Sequence, residues 1–151
     1  MIVNRQRAVR VVRPPLETFL RRVKNELGLG EASLTVCLVS DAEIARMNQT
    51  FRKKKGPTDV LSFPAVARGK PRRPASEGGP YKEGAGEYLG DIAIAPSTAR
   101  RYAKKNGRKI ADEIRVLMLH GVLHLMGYDH ETDRGEMERV ERKLRKRLGL
   151  A

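Results

Sequence analysis

The chain has 151 residues, 40% of them hydrophobic and 32% charged, which suits one globular domain spanning residues 1–151. Its 31 Lys and Arg outnumber its 18 Asp and Glu by 31 − 18 = 13, and a single cysteine, Cys37, excludes an internal disulfide. No run approaches the roughly 18 apolar residues of a membrane span, and MIVNRQRAVRVV lacks the apolar stretch and cleavage site of a secretion signal, so a soluble cytoplasmic protein without a membrane partner is expected.

Residues 2–9, IVNRQRAV, read as a strand. In RPPLETFLRRVKNELGLG, Pro14 and Pro15 suit a helix's first turn, and Gly28 supplies a stop. Leu16, Phe19, Leu20, Val23 and Leu27 recur there at helical spacing. SLTVCLVS reads apolar on both faces, as a covered central strand does, and makes Cys37 a small buried hydrophobe rather than a nucleophile. In SDAEIARMNQTFR, Ser40 with Glu43 three residues on forms a capping box opening a short helix. TDVLSFPAV and EYLGDIAIAP are two further strands. Between them, residues 65–88 are rich in Gly, Pro and charge with no apolar period, the pattern of a mobile loop or hairpin tip.

STARRYAKKNG, capped by Ser97 and Thr98, makes one helix. ADEIRVLMLHGVLHLMG makes a second, apolar nearly all round and therefore buried. DRGEMERVERKLRKRLGL closes the chain, with Asp133 and Glu136 as a capping pair and Met137, Val140, Leu144 and Leu148 as its inward stripe. This order predicts an α+β fold, a single small mixed β-sheet of about four strands packed with about five helices.

The basic residues are clustered: RKKK at 52–55, RGKPRR at 68–73, RRYAKKNGRK at 100–109 and RKLRKR at 142–147. Four such clusters on a small domain favour a polyanionic partner, RNA or DNA, over mere solubility. Arg52, Lys53, Lys54, Lys55, Arg100 and Arg101 are the candidate nucleic-acid contacts. With aromatics at 5% and no Trp, no stacking platform for bases is advertised.

All three histidines fall in HGVLHLMGYDH, at His120, His124 and His130. Residues four apart on a helix share a face, so His120 and His124 can converge on one point. Gly127 can end the helix in a left-handed turn and let His130 return to that point. Three imidazoles leaving one position for water are the ligand set of a catalytic zinc ion, although imidazole also suits nickel, copper and iron. A core histidine satisfied by hydrogen bonds is the bland alternative for any one of them. The spacing is that of the H-E-x-x-H-x-x-G-x-x-H metalloproteases, but Gly121 stands where their catalytic Glu stands, which argues against peptide hydrolysis. A zinc ion can instead make its own nucleophile or polarise a phosphoryl oxygen. Arg52, just before TDVLSFP, is a candidate catalytic cation for the phosphate, or else a surface charge in a basic run.

HGVLHLMGYDH, preceded by TDVLSFP (Thr58 to Pro64) and LGDIAI (Leu89 to Ile94), closely resembles the YbeY family of bacterial endoribonucleases. The resemblance runs from about Ser33 to the C-terminal helix, with three motifs in the family's order. It implies a compact α/β domain whose metal-site helix resembles that of zinc proteases. It also implies a metal-dependent, single-strand-directed endoribonuclease in rRNA maturation, including the small-subunit rRNA 3′ end, and in ribosome quality control; with zinc from the histidine set, the expected function is a zinc-dependent endoribonuclease. Implied partners are ribosomal RNA, the ribosome or its small subunit, and assembly factors. Carried onto this chain, the metal ligands fall on His120, His124 and His130, and the family's functional arginine falls on Arg52, with Phe51 before it. Asp91 and Asp129 match as residues that could orient a ligand ring; closing a strand and capping a turn are the alternatives. The basic segment 65–88 departs from the family. Two rival functions stay open: a metallopeptidase-like hydrolase using Glu131 or Asp129 as base, and a ribosome-assembly binding factor with a structural zinc.

Overall fold

The computed structural model describes residues 1–65, 87–129 and 131–150. Four strands form one sheet in the order β1-β2-β4-β3: β1 (Ile2–Asn4), β2 (Ser33–Leu38), β3 (Val60–Pro64) and β4 (Tyr88–Ile94). Five helices are described: α1 (Arg13–Glu26), α2 (Asp41–Arg52), α3 (Pro96–Lys105), α4 (Ile110–Leu125) and α5 (Glu136–Arg147). The sheet is mixed, since β1 and β4 run parallel to β2 while β3 runs antiparallel to β4. The expected α+β architecture and element order both stand. No helix among the described residues is long and apolar enough to cross a membrane.

Two cores flank the sheet. The larger collects Leu34, Val36, Leu38, Ile92 and Ile94 from the strands with the apolar stripes of α1, α4 and α5. The smaller, on the opposite face, packs Ile44 and Met47 of α2 against Leu61, Phe63 and Ala93. Strand β2 is central as read, but only one of its faces is sealed. Leu34, Val36 and Leu38 are buried while Thr35 and Cys37 stay half-exposed, because α2 is short and covers one end of its side. Burial still pushes the Cys37 thiol up, with Asp91 adding to the effect, which suits an unreactive side chain.

Three boundaries differ from the sequence reading. Strand β1 stops at Asn4 rather than running to Val9. The Gln6 side chain is the cause: its amide donates to Val9 O at 2.9 Å and accepts from Val9 N–H at 3.0 Å, folding the chain away from the sheet. Helix α3 begins at Pro96 with Ala95 as its N-cap and no side-chain cap. Proline is pre-set for a first helical position, so the helix starts before Ser97 and Thr98. Thr98 Oγ1 donates instead to Asp41 Oδ1 at 2.7 Å, tying α3 to α2. Helix α5 is capped at Gly135, while Asp133 accepts the N–H groups of Gly135 and Met137, both at 2.9 Å. Ser40 caps α2 as expected, accepting the Glu43 N–H at 3.1 Å. Glu43's carboxylate is engaged by Arg5 at 2.8 Å. Tyr88 opens β4, and the rest of the 65–88 segment beyond Ala65 and Glu87 lies outside the described residues.

Candidate active site

Helix α4 carries His120 and His124, and its apolar residues decide how closely it approaches the sheet. Ten of its residues from Glu113 to Leu125, Gly121 included, are buried. A Cβ on Gly121 would stand 2.8 to 3.0 Å from three side-chain atoms of Ile92 on β4. Glycine is therefore required by the packing of helix on sheet, and a carboxylate at this position has nowhere to go. Its carbonyl accepts a long hydrogen bond from Ser62 Oγ of β3 at 3.4 Å.

The imidazoles converge as their spacing predicts. The Nε2 atoms of His120 and His124 lie 3.0 Å apart, with ring centroids at 4.6 Å and planes at 76°. Two zinc ligands at ~2.05 Å in tetrahedral array stand about 3.3 Å apart, so the pair fits an ion after parting by a few tenths of an ångström. Among the described residues, no three His, Cys, Asp or Glu side chains gather as a metal set. His130, the third expected ligand, lies outside the described residues. Gly127 does end the helix as expected: at φ 100° it adopts a conformation open to glycine, and Tyr128 N–H donates back to Leu123 O at 3.1 Å.

Glu141 of α5 completes the pair and went unnoticed in the sequence. Its Oε1 lies 3.1 Å from His120 Nδ1, and the two side chains are only 23% (His120) and 18% (Glu141) exposed. An ionised carboxylate only accepts, so Nδ1 carries the proton and Nε2 keeps its lone pair for a metal. The signal in the sequence was slight: an acid beside Val140, on the flank of an inward stripe.

A cleft of about 510 Å³ opens over the histidines. Its walls are His120, His124, strand β3 with the preceding Thr58 and Asp59, the turn Gly127–Asp129 with Glu131, and Arg52 from the end of α2. Arg52 thus shares one cavity with residues about 70 positions later. It is placed by a left-handed turn at Lys53 (φ 58°), whose N–H donates to Asn48 O. Asn48 Nδ2 also donates to Gly56 O at 3.0 Å, and the exposed Lys53, Lys54 and Lys55 lie in the loop between.

Among the described residues strand β3 is an edge strand of the sheet, paired with β4 on one side, and its residues line this cleft. Ala95 N–H donates to Asp59 O at 2.9 Å and Ala65 N–H to Leu89 O at 3.0 Å, so the odd-numbered residues of β3 turn their backbone groups toward β4. Val60 and Ser62 consequently turn theirs outward.

Several expected residues fall elsewhere. Asp91 does not reach the histidines. Its neighbour Ile92 faces α4, so Asp91 faces the other side of the sheet, where its carboxylate accepts from the Tyr88 hydroxyl. Asp129 lines the cleft, but its Oδ1 accepts the Glu131 N–H at 3.0 Å, the turn-capping alternative rather than the support of a ring. Arg100 and Arg101 do not line the cleft. Arg101 pairs with Asp41 at 3.2 Å, at the far end of α2, about 16 Å along the axis from Arg52.

Known proteins share this sequence and this fold. The family profile described as Endoribonuclease YbeY matches residues 2–149. An Endoribonuclease YbeY of Solibacter usitatus is 45% identical over 138 residues, covering 91% of this chain and 80% of that protein. One of Aquifex aeolicus is 39% identical over 135 residues, covering 89% and 80%. The solution structure of TM1509 from Thermotoga maritima superposes with a TM-score of 0.61 at 26% identity, covering 98% of this chain and 89% of that one.

Proposed function

The chain belongs to the YbeY family of endoribonucleases, and from that premise we propose that its cleft is a zinc-dependent site cleaving single-stranded RNA. The biological setting we infer is the cytoplasm, in rRNA maturation at the small-subunit 3′ end and in ribosome quality control, with the ribosome and its assembly factors as partners. The observation carrying the catalytic reading is the 3.0 Å approach of two imidazole Nε2 atoms in a cleft that also holds Arg52.

His120, His124 and His130 would hold the ion. Zinc bound there supplies Lewis acidity toward water or a phosphodiester oxygen. The remaining work falls to the chain itself. Glu141 holds the proton of His120 on Nδ1 and fixes the ring's direction. Arg52 offers a fork of N–H donors to the non-bridging oxygens of the scissile phosphate, whose charge grows during cleavage. The outward backbone N–H groups of Val60 and Ser62 can bind the strand's sugar and phosphate oxygens along the wall. Glu131 at the rim is a carboxylate able to accept a proton from the attacking group, be it water or the ribose 2′-OH.

The packing of Gly121 on Ile92 weighs against a peptidase with its base at position 121, where a side chain would collide with Ile92, and leaves Glu131 or Asp129 for a peptidase base. The open cleft over the histidines weighs against a purely structural zinc. Zinc-loaded protein and a His124→Ala variant, incubated with single-stranded rRNA fragments, test the proposal. Cutting by the parent chain, abolished by chelator and by the substitution, is expected. Equal cutting by both at matched purity would separate the nuclease from this site, and chelator-sensitive casein cleavage would favour the peptidase.

A further inference from the structure

Phe51 is 66% exposed on a helix whose other large apolar side chains are covered, Ile44 wholly and Met47 in part. An isolated exposed apolar residue is ordinary, but the surroundings of this one are not. Its ring stands edge-on to Phe63, with centroids 5.0 Å apart and planes at 69°. Phe63 lines the cleft, as does Arg52, the next residue after Phe51. Two of the chain's three phenylalanines thus meet beside the Arg52 end of the cleft, next to four consecutive cations, Arg52 to Lys55.

The arrangement is also held in place. Phe63 belongs to a strand paired along its length with β4, so it gives Phe51 a fixed surface to lean on. Asn48 ties the loop after Arg52 back to α2 through its Nδ2 bond to Gly56 O and its carbonyl bond from Lys54 N–H at 3.3 Å. An aromatic face open to solvent, braced behind and flanked by cations, is the combination that binds single-stranded nucleic acid. The base lies on the ring while the backbone phosphates meet the cations.

We propose that Phe51, braced by Phe63, is a nucleobase subsite that receives one unpaired base of the RNA strand while the adjoining phosphate meets Arg52. The subsite rests on the RNA reading of the cleft and adds a reason for single-strand preference. A base inside a duplex has both faces covered by its neighbours and cannot lie on the ring.

The chain holds no tryptophan, so Phe51→Trp installs a sole indole reporter at the subsite. This variant is titrated with a short single-stranded RNA and with a duplex of equal length at one fixed salt concentration. Phe51→Ala and Phe51→Leu are measured for single-strand affinity by anisotropy of a labelled RNA. Saturable quenching of the indole by the single strand, but not by the duplex, is expected. Both ring-less variants should bind the single strand about ten- to a hundredfold more weakly than the parent, with unchanged melting temperatures. Equal quenching by the duplex, or parental affinity in Phe51→Ala, overturns the subsite while leaving the RNA reading intact. Failure of the parent chain to bind any RNA overturns both.

Discussion

The two ends of the cleft are built by opposite means. At one end His120 and His124 ride on α4, which is buried on nearly all sides and lies so close to β4 that only glycine fits at 121. At the other, Phe51 and Arg52 occupy the exposed last turn of α2, secured by Asn48 and one ring contact. Metal ligands must be held within about half an ångström of their working geometry, and a packed helix supplies that rigidity. A nucleic-acid strand brings its own freedom to the encounter, and cations on short tethers can follow it. Substitutions that change volume at the packed end should therefore cost fold and function together, whereas those at the exposed end should cost function alone.

The sharpest way to break this contrast is Gly121→Glu. It forces a charged side chain against Ile92, and overpacking by ~1–3 kcal/mol plus burial of a carboxylate should leave little cooperative unfolding transition. Gly121→Ala should cost ~1–3 kcal/mol and lower Tm by about 2–12 °C. A Gly121→Glu chain melting like the parent in calorimetry would show that α4 is not held as described. Arg52→Ala makes the opposite demand. Cleavage of single-stranded RNA should fall about a hundredfold with Tm unchanged, and Arg52→Lys should restore only part of it because one ammonium cannot replace a two-pronged donor. A matching loss of Tm would erase the distinction between the ends.

Glu141→Gln probes the packed end without a large volume change. Zinc affinity, read by competition with a chromogenic chelator, should weaken about 10- to 100-fold while the metal-free protein keeps its Tm. Unchanged affinity would mean that His120 is oriented by packing alone. The smallest effect is expected at Tyr88, which opens β4 outside the lining of the cleft. Burial raises the Tyr88 hydroxyl's pKa, and its hydrogen bond to Asp91 raises it further. The folded state thus prefers the neutral phenol, and that preference contributes stability below pH ~10 and is lost as pH rises through the raised value. Tyr88→Phe should flatten the decline of Tm as pH rises above about 10. An equally steep decline in the variant would place the alkaline sensitivity elsewhere.

Local rules of spacing were enough for much of this fold. Ser40 caps where a serine three residues before a glutamate should, and His120 meets His124 because a helix repeats every 3.6 residues. Gly127 turns the chain because glycine alone is at ease there. What stayed hidden depends on contacts between distant segments. Glu141 reads as one more charge on a basic helix until α5 is laid beside α4. Phe51 and Phe63 are unremarkable apart and become a pair only when α2 covers that side of β3. Asp91 was placed near the metal by motif alone, whereas the alternation of β4 turns it to the other face. Ser97 and Thr98 have the chemistry of caps, but Pro96, pre-set for a first turn, opens the helix ahead of them.

The order of the chain has a consequence for the protein during its own synthesis. Among the described strands β4 alone joins β2 to β3, so that part of the sheet is complete only once residue 94 has emerged. The carboxylate that aims His120 arrives later still, at residue 141. A nascent chain leaves the exit tunnel N-terminus first, presenting its cations long before its imidazoles are aligned. An unfinished polypeptide therefore carries its exposed cations before its histidine pair has the carboxylate that aims it.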